Sequence, residues 1–154
     1  MEKSTSKIDF PTLVDKNFDF LFNKGYYVKS KEYSGFPLAE WAIVLCSQNL
    51  SIEISIDKAY VELNLTIPGE EDVRLDLMFV MVYLSNNEEW KYPRLKGEIN
   101  TDYYNKQLER LSNILKENLL EIESVVIKIV TDPREKRKFE KFAHKHFDKL
   151  TLDL

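Results

Sequence analysis

The sequence has few of the residues on which most small catalytic sites depend. It contains one cysteine, two histidines and four glycines among 154 residues. A single cysteine excludes an internal disulfide. Because Cys46 lies in an apolar run with no base nearby, we expect a small buried hydrophobe rather than a reactive thiol. So few glycines exclude a phosphate-binding glycine loop, and zinc and dinucleotide motifs are absent. The sequence therefore predicts no enzyme activity and no cofactor.

The two histidines, His144 and His146, lie two residues apart in the last predicted helix. Side chains at that spacing point about 200° apart around a regular helix, so they cannot both bind one metal ion. The tripeptide Glu89-Trp90-Lys91 has the acid-x-lysine spacing of some metal-dependent nucleases, but no predicted strand clearly presents it. We therefore expect the protein to need no metal.

Long apolar runs are also missing. The longest, from Leu77 to Leu84, is far shorter than the ~20 residues that a membrane span requires. The polar N-terminus is not followed by the apolar core of a secretory signal. We expect a cytoplasmic protein without a membrane partner, built as a single domain over residues 1–154, with residues 1–8 disordered.

The strongest pattern that is present lies in two neighbouring segments, residues 50–57 and 60–67, where apolar and polar side chains alternate strictly. Such alternation predicts strands with one buried and one exposed face. With strands at residues 26–33 and 41–47, it predicts an antiparallel four-stranded meander in the order 1-2-3-4. The predicted core includes Phe18, Leu21, Ile43, Leu45, Ile52, Ile54, Leu63 and Leu65.

Apolar residues at helical spacing predict a helix over residues 10–24, a long helix after residue 100 and a last helix from Pro133. The predicted fold class is α+β, with an N-terminal helix and two to three C-terminal helices packed on one face of the sheet. Two segments are ambiguous. Residues 75–84 favour a helix over a fifth strand, and residues 125–130 fit either a helical extension or a strand.

Negative charge is concentrated in the middle of the chain. Residues 50–90 contain nine acidic and two basic groups, a net charge of −7, whereas the whole chain carries −4. Such a segment repels nucleic acid and attracts basic surfaces. The last helix is rich in lysine and arginine, but Asp132, Glu135, Glu140 and Asp148 are interleaved. We therefore expect a solvated amphipathic helix there and no nucleic-acid partner.

The exposed face of the predicted sheet is the candidate binding surface. If the alternation holds, Glu53, Asp57 and Glu62 project from the side that Tyr60 shares. Rigid polar sheet faces suit protein docking because their side chains are ordered before the partner arrives. An ordinary solvated face is the alternative interpretation. The candidate partner-binding residues are Glu53, Asp57, Tyr60, Glu62, Asp72, Asp76 and Trp90.

The order of elements resembles a known class of proteins. A leading helix around Phe18 to Phe22, a strand from Trp41 to Leu45, a hairpin over residues 50–65 and an acidic linker before helices follow one another. This layout, over residues 10–125, is similar to that of the small α+β immunity proteins that bacteria encode beside polymorphic or contact-dependent toxins. The resemblance includes no diagnostic motif. It implies a non-enzymatic cytosolic protein that binds and blocks one toxin, and a basic toxin would fit the acidic middle.

Other functions fit the same sequence. A phage or mobile-element protein that inhibits a host defence factor would share these features. The aromatic residues instead suit a small-molecule-binding protein or enzyme with a pocket between sheet and helices. The rings that support this alternative are Trp41, Trp90, Tyr92, Tyr103 and Tyr104. A homo-oligomeric structural module is the remaining alternative.

Overall fold

The computed structural model describes residues 9–34, 40–57, 60–86, 90 and 100–151, without the side chains of Asp57 and of residues 147–151. The disorder expected for residues 1–8, and the residues Glu89, Lys91 and Tyr92, lie outside the described residues. In chain order the elements are α1 (Phe10–Asn17), a 3₁₀ helix (Asp19–Lys24), β1 (Tyr27–Ser34), β2 (Glu40–Cys46), β3 (Ser51–Asp57), β4 (Tyr60–Thr66), β5 (Leu75–Asp76), α2 (Leu77–Ser85), α3 (Thr101–Thr131) and α4 (Pro133–Thr151).

The strands form one antiparallel sheet in the order β1-β2-β3-β4-β5. The α+β class and the order of the first four strands are confirmed, and the number of strands is corrected from four to five. The extra strand is two residues long, which is too short to produce a readable alternation. The register aligns Ile43 with Ile54 and Ile54 with Leu63, so the apolar side chains of three strands form a continuous row.

The helices cover one face of this sheet. All eight core residues predicted from the sequence are at most 1% exposed. Helices α2 and α3 contact β4, α1 packs against α3, and α4 packs against α3 and α2. The opposite face, which we call the open face, presents the alternate side chains of β1–β4, which are mainly polar. The fold is therefore a two-layer arrangement with one side of the sheet available to a partner.

Local capping explains where the helices begin. The Asp9 carboxylate accepts hydrogen bonds from the Thr12 backbone and hydroxyl at 3.2 and 2.6 Å, which starts α1. The helix predicted for residues 10–24 ends earlier, at Asn17, and continues as the 3₁₀ segment. The Asn17 amide donates to Leu13 O at 2.9 Å and to Asn105 Oδ1 at 3.0 Å, which ties the end of α1 to α3.

Both ambiguous segments are mainly helical. Residue Asp76 separates β5 from α2, because its carboxylate accepts from the Met78 and Phe79 amides at 2.8 and 3.3 Å and so caps α2. Residues 125–130 continue α3, where Val126 and Ile129 are fully buried. Burial against the core outweighs the β-propensity of these branched residues. In the part of the chain that the structure describes, no helix has the length and apolarity needed to cross a bilayer.

Candidate functional site

A broad concavity on the open face is lined mainly by acidic and small polar residues. Its volume is about 570 Å³. Four glutamates contribute to its lining, and Arg74 is the one basic residue among the described residues that line it. The glutamates are Glu32, Glu40, Glu53 and Glu62. The concavity is therefore an acidic surface of the shape that a protruding basic group can enter.

Strand pairing explains both the hollow and its charge. One cross-strand row runs from Glu32 through Ala42 and Ser55 to Glu62. The two central side chains are small, whereas the two outer ones are long and acidic, so the row is low in the middle and high at its ends. The sheet thus places two carboxylates on opposite sides of a shallow floor.

The neighbouring row adds the third acidic group. Residue Glu53 lies between Val44 and Asn64 in the pairing, and its side chain is 20% exposed. The Arg74 guanidinium approaches the Glu53 carboxylate at 3.2 Å, while its own side chain is 62% exposed. An ion pair with so exposed an arginine contributes about 0–1 kcal/mol to stability. A basic group of a partner could therefore displace Arg74 at little cost.

The connection between β4 and β5, residues 67–74, closes one end of the open face. Its Glu71 carboxylate meets the Lys29 ammonium of β1 at 3.5 Å, so the ion pair bridges the width of β2 and β3. A second cavity of about 200 Å³ lies between this connection and the sheet. The cover explains why Ser51 and Thr66, which point to the open face, are only 5% and 7% exposed.

Hydrogen bonds between side chains and the backbone fix the β4–β5 connection. The Thr66 hydroxyl donates to Glu70 O at 2.7 Å. The Gly69 amide donates to Glu71 Oε2 at 3.0 Å and is the main reason that the pKa of this carboxyl lies below its usual value, with a smaller effect from Lys29. Gly69 itself has φ +92°, which favours glycine. The charged state of Glu71 is thus stabilised where it faces Lys29.

The structure brings some of the predicted site residues together on the open face. Glu53 and Glu62 are half-buried on neighbouring strands and both line the concavity. The backbone of Asp57 pairs with Tyr60 at the end of this hairpin, whereas the Asp57 side chain lies outside the described residues. The pKa of Tyr103 is raised mainly by burial and then by Tyr104, and Tyr60 is close enough to add a smaller effect. Tyr60 therefore lies at the rim of the face.

The other three predicted residues lie elsewhere. Asp72 is exposed on the β4–β5 connection, and Asp76 is occupied as the cap of α2. The Trp90 indole donates to Ser85 Oγ at 2.9 Å, and its side chain packs against the core beside α3. Trp90 therefore belongs to the helical side of the molecule and not to the concavity.

Sequence reasoning missed three charged residues of the concavity: Glu32, Glu40 and Arg74. The alternation of Ser30, Glu32 and Ser34 was an available signal for the first of them. A bulge between Val28 and Ser30 shifts the register of β1, however, and changes which residues pair with β2. The position of Arg74 depends on the path of the β4–β5 connection, which no periodic pattern specifies.

A larger groove of about 710 Å³ lies between the β2–β3 turn and α3, where α3 is kinked at Asn118. Its lining mixes both signs of charge, with Lys24 and Lys116 beside Glu117, Glu121 and Glu123. A mixed lining gives little selection for a partner of one sign. The open face is therefore the better candidate for charge-directed binding.

The structure also shows the surroundings of the residues that were considered for thiol and metal chemistry, which are Cys46, His144 and His146. Cys46 is free and 2% exposed. His144 is exposed, and His146 lies with its Nδ1 3.0 Å from Phe142 O and its ring against that of Phe142. Among the described residues, no group of three or more His, Cys, Asp or Glu side chains is arranged to hold a metal ion.

Comparison with known proteins does not assign a function to this site. No protein-family model, curated protein or solved structure matches the chain.

Proposed function

We propose that this protein is a non-enzymatic cytoplasmic inhibitor of the immunity or antitoxin type, which binds and neutralises a basic toxin or effector protein through its open face. The observation that carries the proposal is the four-glutamate concavity on the uncovered side of the sheet. A phage or mobile-element inhibitor of a basic host defence protein would use the same surface, and the identity of the captured partner distinguishes the two.

The charge of the concavity supports a role in recognition. Carboxylates of one sign on a rigid surface accelerate the encounter with a basic partner and reject acidic ones. Strand pairing holds Glu53 and Glu62 in place before binding, so little side-chain order is lost on association. An arginine or lysine of the partner would take the place of Arg74 beside Glu53.

One aromatic residue of the open face could anchor a partner: Tyr60, which lies at its rim. Tyr33 and Trp41, whose ring centroids are 4.8 Å apart, share a cross-strand row with Ile56 and Val61 and therefore project from the side of the sheet that the helices cover. Trp41 packs against the core there. Aromatic residues beside charged groups are typical of the positions that dominate binding energy. We therefore propose Tyr60, and neither Trp41 nor Trp90, as the anchor.

The packing between sheet and helices favours this function over a small-molecule pocket. Ile52, Ile54 and Leu63 are fully buried there, together with the facing apolar residues of the helices.

The experiment uses the tagged full chain to capture basic proteins from the source organism. The wild type is compared with an open-face variant, Glu32→Gln, Glu53→Gln and Glu62→Gln. The control variant changes Glu109, Glu117 and Glu121 of α3 to glutamine, since these exposed side chains lie on the helical layer and the change in net charge is the same.

We expect wild type and control to retain one basic protein that the open-face variant loses. Co-expression should then show that the wild type relieves the toxicity or blocks the activity of that protein. Equal capture by all three baits, or a captured protein that remains fully active in the complex, would contradict the proposal.

A further inference from the structure

The last helix carries a basic surface that the proposed function does not use. Five of its cationic side chains are exposed and share one side of the helix, and we call them the basic stripe. They are Arg134, Arg137, Lys138, Lys141 and Lys145. At about 1.5 Å per residue, the stripe extends roughly 16 Å along one side of α4. None of the ion pairs among the described residues involves one of these five side chains.

The structure separates two of the interleaved acidic residues from this stripe. The Tyr83 hydroxyl donates to the Glu135 carboxylate, which directs Glu135 towards α2. The Asp132 carboxylate accepts from the Arg134 amide at 2.9 Å and so caps α4. Glu140 is exposed but lies roughly 100° from the centre of the stripe around the helix. The side chain of Asp148 lies outside the described residues. Glu135 and Glu140, two of the four acids that weakened the case for nucleic acid in the sequence, therefore lie off the stripe.

The opposite side of α4 is packed and is not available for insertion into a membrane. Phe139 and Phe142 contact the Tyr83 ring edge-on, with centroid distances of 5.2 Å in both cases. Helices that bind anionic membranes combine a basic face with a free apolar face. In α4 the described apolar side chains belong to the core, which favours a polyanion in solution over a lipid surface.

We infer that the basic stripe of α4 binds the phosphate backbone of a nucleic-acid duplex without reading its sequence. Lysines and arginines in a row need only a regular series of phosphates as partners. Binding of single strands depends on aromatic side chains that stack on bases. The stripe itself has no aromatic side chain, and the neighbouring Phe142 packs against Tyr83. This surface is distinct from the open face, so the inference goes beyond the proposed function and can fail independently of it.

Fluorescence anisotropy of a labelled duplex of about 20 base pairs, titrated with the full chain between about 50 and 200 mM KCl, tests the inference. Neutralising three to five phosphates should give a slope of log K against log salt between about −2.7 and −4.5. Changing Lys138, Lys141 and Lys145 to glutamine should weaken binding at least about tenfold at the lowest salt and reduce the slope by up to about 2.7.

The control changes Lys16, Lys24 and Lys31, which are exposed on α1, the 3₁₀ helix and β1, to glutamine. It alters net charge equally and should bind the duplex nearly as the wild type does, as should the open-face variant. Circular dichroism of each variant checks the fold. Absence of duplex binding by the folded wild type at the lowest salt would overturn the inference, as would equal weakening by both lysine variants. If the wild type does not bind the duplex but self-associates, and the α4 variant does not self-associate, the inference is overturned. The stripe would then bind the acidic open face of a second copy of the chain.

Discussion

Two leucines on α3 allow the two-layer packing to be tested with one substitution in one helix. Leu108 is fully buried, whereas Leu120 is 78% exposed. Leucine and alanine have similar helix propensities, so the helix itself contributes little to either change. Leu108→Ala removes three carbon groups from the core, which costs ~2.4 kcal/mol at ~0.8 kcal/mol each. The cavity that remains raises the expected loss of unfolding free energy to about 2.5–5 kcal/mol.

The same change at the exposed position should leave stability almost unaltered. Leu120→Ala should shift the free energy of unfolding by less than about 0.5 kcal/mol. Urea unfolding followed by far-UV circular dichroism measures both values through the midpoint of the transition. Similar losses for the two variants, or a larger loss at Leu120, would refute the assignment of the buried side of α3 and with it the placement of the helical layer.

Three further predictions concern single contacts. Asp76→Ala should lower the free energy of unfolding by ~1 kcal/mol, because the cap of α2 is lost, and Asp76→Asn should restore most of it in the same urea assay. Burial, with a hydrogen bond to Glu123 at 2.6 Å, raises the pKa of Tyr26 far above its usual value of ~10. The neutral phenol therefore stabilises the fold fully below pH ~10, and this contribution falls as the pH rises above that value. Tyr26→Phe should therefore show a shallower alkaline loss of stability than the wild type in unfolding measured from pH ~8 to ~11. Arg74→Gln should change stability by less than about 1 kcal/mol but accelerate association with a basic partner in stopped-flow mixing, because Glu53 loses its internal cation.

The elements predicted best from the sequence are those with a strong periodic pattern. The alternation of residues 50–57 and 60–67 produced β3 and β4 to within a residue or two, and Ile54 is buried as expected. This works because one face of the sheet is apolar, and a slip of one residue would expose every buried side chain. Similar logic places Val126 and Ile129 on the buried side of α3 once the helix is known to continue.

The candidate site was less predictable because its shape comes from contacts between distant segments. Whether Glu32 faces Glu62 depends on a β1 bulge and on three pairing registers, none of which is encoded locally. The pair between Lys29 and Glu71 depends on the path of an irregular connection. Trp90 was grouped with the acidic residues through its nearness in sequence, whereas its indole hydrogen bond holds it at the end of α2.

The association rate of the captured basic partner tests the central claim most directly. Biolayer interferometry would compare wild type, the open-face variant and the α3 control variant at low and high ionic strength. We expect the open-face variant to associate at least about tenfold more slowly at low salt, the control to match the wild type, and the difference to shrink as salt screens the charges. Equal association rates for the wild type and the open-face variant at low salt would contradict the account, since the four-glutamate concavity would then not direct binding.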